Sequence, residues 1–365
     1  MDDKTPVVII GGGQSGLAAA AAGRRHGTDV VVLEVGDRPV GTWPAYYDSL
    51  TLLSPARYSA LPGLEFPGDP DHHPHRDDVV AYLERYASTL GVPIRTGVEV
   101  EAVEHADSGF LVRTADGQSL PASGVVSAAG SRPVLPELAG QDTFRGELTH
   151  IADYRNVKPY VGRRVVVVGS GESAVQIAHE LGDVADVTLT SRRPVRFLAR
   201  HQRGQDVHHW SVTSGFDRLP PEWLAQVVPG RLVNDAGEYE RALGDGRLER
   251  RAMFSALDGD AVVWADGTRE HVDAVLLATG YAPRVDHLAG LGALDEHGLP
   301  LHSGGLSTTT PGLGYLGLEF QRSFASNTLR GVGRDAEYVM DAVAAYAGGA
   351  AAAVGLSSRG AARAR

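Results

Sequence analysis

The stretch VVIIGGGQSGLAAAAAG at residues 7–23 joins a continuous apolar run to closely spaced glycines and an alanine-rich segment. An unbroken apolar run is typical of a buried parallel strand, and the alanine-rich segment predicts a helix. In this pattern Gly11 permits a tight turn, Gly13 lets the backbone approach a pyrophosphate, and Gly16 lets the helix pack closely on the strand. The stretch therefore predicts a dinucleotide-binding turn. Its predicted cofactor contacts are Gly11, Gly13, Gln14, Ser15 and Gly16.

A second apolar run, residues 30–33, ends in Glu34, which lies 21 positions after Gly13. A carboxylate at this position can accept hydrogen bonds from a ribose diol and would repel a 2′-phosphate. The first motif is therefore expected to bind an ADP-ribosyl group that lacks this phosphate, as in FAD or NAD.

A second copy of the pattern, VVVVGSGESAVQIAHELG, occupies residues 165–182. Ala174 stands where the third glycine is expected, and this type of turn tolerates that replacement. The run before the glycines again predicts a buried strand, here residues 163–168, and a helix is expected to continue through about Leu181. The predicted contacts of this second motif are Gly169, Gly171, Glu172, Ser173 and Ala174.

Arginine replaces the acidic residue in the second motif. Arg192 lies 21 positions after Gly171, and Arg193 follows it. A guanidinium group binds phosphate through a planar, bidentate fork. The pair therefore predicts recognition of a 2′-phosphate and a preference for NADPH over NADH; the alternative is a solvated basic turn.

An internal repeat accompanies the two motifs. Residues 114–130 and 264–280 align without gaps, and each predicts a hairpin turn at Asp-Gly, a strand and an exit of small residues. Two related dinucleotide-binding units, one inserted into the other, explain both repeats. The predicted fold is α/β, with two doubly wound Rossmann-like domains. The predicted parts are an FAD-binding domain at 1–155 and 281–345, an inserted NADPH-binding domain at 156–280, and a disordered tail at 346–365.

Composition narrows the class of protein. The 365 residues carry a formal net charge of −11, which argues against nucleic acid or an anionic membrane as the main partner. No apolar run approaches the ~20 residues that span a bilayer, and the acidic start does not resemble a signal peptide, so a cytoplasmic location is expected. The chain contains no cysteine, which excludes disulfides, thiolate nucleophiles and zinc–sulfur sites.

Between the motifs, FRGELTHIADY at 144–154 has the form FxGxxxHxxxY, with Phe144, Gly146, His150 and Tyr154 at the defining positions. With the paired glycine motifs and LATGY at 277–281, it resembles the flavin-containing monooxygenases of the class B flavoprotein monooxygenases, in their compact bacterial form. GTWPAYYDSLTLLSPA at 41–56 is similar to that family's segment under the flavin, and NTLRGVGRDAEYV at 327–339 to its closing FAD segment. Further predicted cofactor contacts are Gly41, Thr42, Trp43, Ser54, Val100, Ala129, Gly130, Thr279 and Gly280.

The resemblance implies a chemistry. NADPH reduces FAD, O2 forms a C4a-(hydro)peroxyflavin, and a small soft nucleophile, a sulfide or an amine, takes up the distal oxygen. The sequence Tyr154-Arg155 favours this branch over the Baeyer–Villiger relatives. Since the flavin carries the difficult step, no catalytic base is assigned, and His150 is expected to hold the linker geometry. A homodimer is a further implication of the resemblance.

Alternatives remain open at this point. The same scaffold can serve a Baeyer–Villiger monooxygenase acting on ketones, an NADPH oxidase without productive oxygenation, or a non-enzymatic sensor that binds NADPH and FAD. The missing cysteines separate the chain from the pyridine nucleotide–disulfide reductases, which need a redox-active cysteine pair.

Two other segments have competing interpretations. His72, His73 and His75 are interpreted as part of a loop before a helix at 77–90, with Asp77 and Asp78 near its N-cap, and no metal site is predicted. Residues 200–224 are expected to be irregular, either a mobile lid over the nicotinamide or a long surface insertion.

Overall fold

A computed structural model describes residues 5–228 and 232–354. In chain order its strands are β1 (Val7–Ile10), β2 (Val30–Leu33), β3 (Ile94–Arg95), β4 (Val100–His105), β5 (Phe110–Thr114), β6 (Ser119–Ala122), β7 (Gly124–Ser127), β8 (Ser131–Pro133), β9 (Glu147–His150), β10 (Arg164–Val168), β11 (Asp186–Ser191), β12 (Phe197–Ala199), β13 (His201–Gln202), β14 (Gln205–Asp206), β15 (Val233–Asp235), β16 (Glu249–Ala252), β17 (Ala256–Asp258), β18 (Ala261–Val263), β19 (Arg269–His271), β20 (Ala274–Leu277), β21 (Tyr281–Pro283), β22 (His302–Ser303), β23 (Leu306–Ser307) and β24 (Leu313–Tyr315). Its α-helices are α1 (Gln14–Arg25), α2 (Arg76–Leu90), α3 (Glu172–Leu181), α4 (Val207–Thr213), α5 (Pro221–Val227), α6 (Glu238–Gly244), α7 (Leu329–Ala347) and α8 (Ala350–Ala353).

The first main sheet has seven strands in the order β22-β23-β24-β7-β1-β2-β3. Its centre is parallel, because β1 pairs with β2 on one side and with β7 on the other. Val7 and Ile9 point into a core that contains α1, α2 and α7, whereas Val8 and Ile10 point into a core on the opposite face, under β5 and β7. Burial of both faces explains why this strand is continuously apolar.

The second main sheet repeats the design with five strands in the order β16-β11-β10-β20-β9, of which β10 pairs in parallel with β11 and β20. Val165 and Val167 face the core of α3, and Val166 and Val168 face the core beneath Trp264. The α/β class with two dinucleotide-binding domains is therefore confirmed. Each domain also contains a three-stranded antiparallel sheet in the connection to its last parallel strand, β4-β5-β6 before β7 and β17-β18-β19 before β20.

The two exits of the internal repeat meet. Segment β8 follows the first repeat, β21 follows the second, and they pair antiparallel with Tyr281 opposite Pro133. Strand β9 lies inside the range predicted for the FAD-binding domain, yet it pairs with β20 in the second sheet. This pairing places β9 in the second sheet, so we propose that the chain passes between the domains at β8 and β21 rather than at residue 155.

The histidine-rich loop is organised by a helix cap. Helix α2 begins at Arg76, one residue earlier than predicted, and its N-cap is His75, with Asp77 and Asp78 in the first turn, near the N-cap as expected. The His75 side chain accepts a hydrogen bond from the Asp77 N–H, and the Asp78 carboxylate accepts one from the His75 N–H at 2.9 Å. Reciprocal capping satisfies two amides that a helix start leaves without partners.

The structure differs from the prediction in two further segments, residues 200–224 and the start of the predicted tail. Residues 200–224 are not irregular, since they form the hairpin β13–β14, helix α4, a 3₁₀ turn at Phe216–Arg218 and the start of α5. The predicted disordered tail is wrong for its first part, because α7 continues through Ala347 and α8 follows it; residues 355–365 lie outside the described residues. Within the described ranges, no helix combines the length and the apolar character that crossing a bilayer requires.

Replacement of Gly16 tests the close packing of α1 on β1. A Cβ at Gly16 would lie 1.8 Å from the Gly11 carbonyl oxygen, so Gly16→Ala must displace backbone. We expect the free energy of unfolding to fall by roughly 1–3 kcal/mol, measured by urea denaturation. The matched control is Gly244→Ala in α6, where a Cβ meets nothing within 4 Å and helix propensity favours alanine. Equal effects of the two substitutions would contradict this packing.

Candidate active site

One cavity of about 750 Å³ lies between the two glycine turns and is lined by residues of both. The predicted contacts that line it are Gly11, Gly13, Gln14, Ser15, Glu34, Gly41, Thr42, Trp43, Val100, Ala129, Gly130, Glu172 and Ser173. The volume is in the range of sites for sizeable organic ligands. Thus the two motifs, separated by about 150 residues in the chain, open into the same space.

The first turn can accept a pyrophosphate on steric grounds. Gly11 has a φ of +103°, and a Cβ there would lie 2.3 Å from the Ala128 carbonyl oxygen. A Cβ on Gly41 would lie 2.9 Å from the Gly13 Cα. Gly13 is the N-cap of α1 and makes no side-chain cap, so the amides of the first helical turn remain available to an anion.

Glu34 is held in place at the ribose position. It is 3% exposed, its Oε2 accepts a hydrogen bond from the Gly12 N–H, and its Oε1 accepts one from the Gly36 N–H at 2.7 Å. A carboxylate has about four lone-pair sites, so these two amides orient it and leave capacity for a ribose diol. The residues present therefore fit the ADP-ribosyl part of FAD.

Trp43 connects three segments of the cavity wall. Its Nε1–H donates to Gln14 Oε1 at 3.1 Å, and Gln14 Nε2 donates to the Asn327 carbonyl oxygen at 2.8 Å. The 41–56 segment, the start of α1 and the 327–339 segment therefore meet, as the resemblance implied. Ser54 does not line the cavity; its hydroxyl lies 2.8 Å from that of Ser59.

The second turn contributes fewer of its predicted contacts to the cavity than the first, namely Glu172 and Ser173. Gly169 approaches the end of β20 so closely that a Cβ would lie 2.6 Å from the carbonyl oxygen of Ala278, the residue after that strand. Gly171 is the N-cap of α3 and again makes no side-chain cap. The other residues predicted to contact a cofactor near this turn do not line the cavity: Gly169, Gly171, Ala174, Thr279 and Gly280.

Glu172 places a carboxyl group at the first residue of α3, where the helix amides are expected to bind an anion. Its Oε1 accepts a hydrogen bond from the Asn234 N–H at 2.6 Å, while its buried Oε2 has no partner among the described residues. Burial raises the pKa of this carboxyl to about 7. A group that is half protonated near neutral pH therefore lies beside the uncapped amides of α3.

Arg192 and Arg193 lie just beyond the carboxyl end of β11, next to β10 in the sheet. Both are exposed, and neither side chain forms an ion pair within the described part of the chain. They do not line the 750 Å³ cavity. Because β10 leads into Gly169, the two guanidinium groups lie at the same sheet edge as the second turn.

The fingerprint residues lie beside the cavity wall. His150 ends β9, is 2% exposed, and accepts a hydrogen bond at Nδ1 from the Ala152 N–H at 3.0 Å. Burial lowers the pKa of His150, and its ring meets Tyr281 edge-on at 5.1 Å. The Tyr154 hydroxyl donates to Glu180 at 3.2 Å. A Cβ on Gly146 would lie 2.5 Å from the Phe144 ring.

Tyr281, which lines the cavity, therefore packs on the fingerprint. The fingerprint contacts the cavity wall through Tyr281 at the start of β21, and none of its own four residues lines the cavity.

Sequence reasoning missed several lining residues. The Tyr47 hydroxyl donates to Gln176 Oε1, which ties the segment at 41–56 to α3. Gln176 follows Ser173 by one helical turn, and that spacing is the signal that could have indicated it. His287 lies 3.1 Å from the Ser127 hydroxyl, and burial lowers its pKa to about 4.

The histidines near residue 72 are used locally. His73 Nδ1 lies 2.9 Å from the Leu52 carbonyl oxygen, and His75 Nε2 lies 2.6 Å from that of Asp48. In the part of the chain that the structure describes, no three His, Asp or Glu side chains are grouped as metal ligands.

Two dinucleotide-binding motifs whose residues line one cavity are the arrangement of a flavoprotein oxidoreductase with two dinucleotide-binding domains. The family model described as "Pyridine nucleotide-disulphide oxidoreductase" matches residues 8–211, more than half of the chain. The disulphide chemistry in that description requires a thiol pair, which a sequence without cysteine lacks.

Known proteins narrow the class further. The flavin-containing monooxygenase from Stenotrophomonas maltophilia is 32% identical, with a TM-score of 0.81 over 93% of this chain and 98% of that one. An uncharacterized CzcO-like oxidoreductase of Geobacillus kaustophilus is 30% identical over 92% of this chain and 97% of its own. The indole-3-pyruvate monooxygenase YUCCA1 of Oryza sativa subsp. japonica is 30% identical over 76% and 77%, respectively. The chain belongs to the flavin-containing monooxygenase family and is an enzyme of the flavin-dependent monooxygenase type.

Substitution of Glu172 tests its raised pKa. The folded carboxyl titrates near 7 and the unfolded one near 4.5, so the folded state binds this proton more tightly and loses stability as pH rises between these values. Relative to Glu172→Gln, the wild type should lose about 1–3 kcal/mol of unfolding free energy from pH 4 to pH 8. Denaturant titrations at several pH values measure the difference.

The control for this experiment is Glu104→Gln. The Arg113 guanidinium lowers the pKa of the Glu104 carboxyl, so the same comparison should show a small change of opposite sign. A Glu172 difference that does not vary with pH would show that the carboxyl titrates normally.

Proposed function

We propose that the protein is an NADPH-dependent flavin monooxygenase that oxygenates a small sulfide or amine with O2. The observation that carries the proposal is the cavity of about 750 Å³ that is lined by residues of both glycine motifs. A hydride donor held at one turn and a flavin held at the other would share this space.

The first turn fits FAD. Two backbone amides hold the Glu34 carboxylate where a ribose would bind, Gly13 makes no side-chain cap on the α1 amides, and the glycines leave space for the backbone to approach the cofactor. When bound, FAD supplies the electron relay from the nicotinamide and the activation of O2. The chain's own residues bind and orient the cofactor and exclude water.

The second turn and the arginines support NADPH as the donor. Glu172 and Ser173 line the cavity at the start of α3. Arg192 and Arg193 are exposed just beyond the carboxyl end of β11, the strand next to β10. A 2′-phosphate is the anion that such a guanidinium pair binds through two parallel hydrogen bonds.

Residues from both domains line the cavity in which the reacting groups would meet. Tyr47 and Gln176 join across it through a hydrogen bond, and Tyr281 covers the side next to His150. Burial raises the pKa of Tyr281 to about 12, so its hydroxyl stays protonated. Shielding from water, more than acid–base catalysis by a side chain, is therefore the contribution assigned to the protein.

The absence of cysteine limits where electrons can go. Without a thiol pair, electrons that leave the reduced flavin must pass to O2 or to an external acceptor. The relatives named as monooxygenases support O2.

Cofactor choice can be tested at Arg192. We expect purified protein to be yellow with one FAD per chain and to prefer NADPH to NADH. Loss of a charged hydrogen bond to phosphate costs roughly 1.5–3 kcal/mol, so Arg192→Ala should raise KM for NADPH about tenfold to a hundredfold. Steady-state kinetics with NADH, which lacks the phosphate, serve as the control. An equal change with both nucleotides would remove Arg192 from the phosphate site.

Oxygenation can be tested with a simple thioether. We expect NADPH oxidation in air to yield the sulfoxide, with one O2 consumed per NADPH, measured by oxygen electrode and mass spectrometry. Ester formation from ketones would indicate Baeyer–Villiger activity instead. Hydrogen peroxide as the sole product across sulfides, amines and ketones would indicate an oxidase, and no NADPH turnover would indicate a sensor.

A further inference from the structure

Residues 197–227, here named the strap, run from the second domain onto the first. The base of the strap is fixed near α3. Strand β12 pairs with β15, the Arg200 N–H donates to the Asp235 carbonyl oxygen at 2.8 Å, and the Asn234 N–H donates to Glu172 Oε1 at 2.6 Å. The strap is thus connected to the residue that opens the second nucleotide-binding helix.

The far end of the strap is fixed to the first domain by a buried ion pair. Asp217 accepts hydrogen bonds from Arg330 Nε at 2.8 Å and from a terminal nitrogen of Arg330 at 3.2 Å. The two side chains are only 4% and 10% exposed. Arg334 also donates to the Asp217 carbonyl oxygen at 3.1 Å, so two successive turns of α7 bind the strap through hydrogen bonds. Arg330 stands three residues after Asn327, which lines the cavity.

Aromatic contacts add a second attachment. Tyr58 stacks on His208 with ring centres 6.5 Å apart, and its hydroxyl lies 3.4 Å from His209 Nδ1. Phe216 meets Phe324 edge-on at 5.2 Å. Tyr58 follows the residues at 50–53, which line the cavity, so these contacts also end next to the cavity wall.

We propose that Asp217 and Arg330 are positioning residues that hold the second domain at the orientation in which the nicotinamide reaches the flavin. The inference rests on the proposed function. A bidentate arginine–carboxylate pair fixes direction as well as distance, and burial protects it from screening by salt. Hydride transfer requires close approach, and a misplacement of about 1 Å can cost about a hundredfold in rate. In this proposal the strap holds the two domains in place, and it does not open and close over the cavity.

The test uses the FAD-loaded full chain and anaerobic stopped-flow mixing with NADPH. In Asp217→Asn we expect flavin reduction at saturating NADPH to slow by roughly ten- to a hundredfold. The Kd for NADPH should change less than about threefold, because the nucleotide contacts stay intact. Reduction by dithionite, which needs no nucleotide orientation, should keep its rate. Arg330→Lys, which keeps the charge but loses the fork, should be intermediate.

A second variant guards against misfolding. Asp217→Asn leaves a buried, unpaired guanidinium, whereas the double variant Asp217→Leu/Arg330→Met replaces the pair by apolar side chains that such sites tolerate. We expect the double variant to fold and still to show slow reduction by NADPH. The control is Arg113→Gln, which breaks an exposed bidentate pair with Glu104 inside one domain and should leave every rate unchanged.

The outcomes separate the two claims. If NADPH does not reduce the wild-type flavin, the proposed function and this inference both fail. If the wild type is reduced and the variants are reduced equally fast, only the inference is overturned. A loss shared by dithionite, or a rise in Kd without a change in the limiting rate, would also overturn it, because either result indicates a structural or binding role.

Discussion

The architecture depends on the approach of backbone to backbone at the glycine turns. At Gly16 the space that a Cβ would need is taken by the Gly11 carbonyl oxygen, and at Gly11 it is taken by the Ala128 carbonyl oxygen. Helix α1 is thereby drawn against β1 and β7, and its first amides face the cavity without a side-chain cap. The place where the cofactor is proposed to bind is a direct consequence of this packing.

The second domain achieves the same close approach of helix and strand with a different residue at the third position of the motif. Ala174 replaces the third glycine, and its methyl group is accommodated because Gly169 leaves room beside it. Strands β8 and β21 pair where the two copies exit, and residues that begin α1 and α3 line the same cavity. A duplicated local pattern therefore produces a site between two domains.

Local features were predictable from the sequence, and long-range ones were not. The strands β1 and β2, the turns at Gly11 and Gly169, and the repeat at 114–130 follow from periodicity and glycine spacing, which are local properties. The cap at His75 was missed because histidine is an uncommon N-cap, and its acceptor role depends on the tautomer.

Contacts between residues that are far apart along the chain could not be predicted from the sequence. Tyr47 and Gln176 are 129 positions apart, and Asp217 and Arg330 are 113 apart. A run such as 200–224 has no periodicity of its own, because its structure is decided by the two domains that it joins. The placement of Ser54 away from the cavity has the same origin, since a hydroxyl can be satisfied by Ser59 as well as by a cofactor.

The interleaved strand order has a consequence for synthesis on the ribosome. The second sheet is complete once Leu277 has emerged, whereas the first sheet still lacks β22, β23 and β24, and α1 lacks its partner α7. Until residues 302–347 follow, the apolar side of α1 around Gly23 is without Met340. The inserted domain can therefore complete its core while the domain that surrounds it remains open, so the nascent chain exposes apolar surface on its N-terminal part longest. Because the core of the first domain is completed last, its exposed apolar surface makes the nascent chain prone to aggregate during translation.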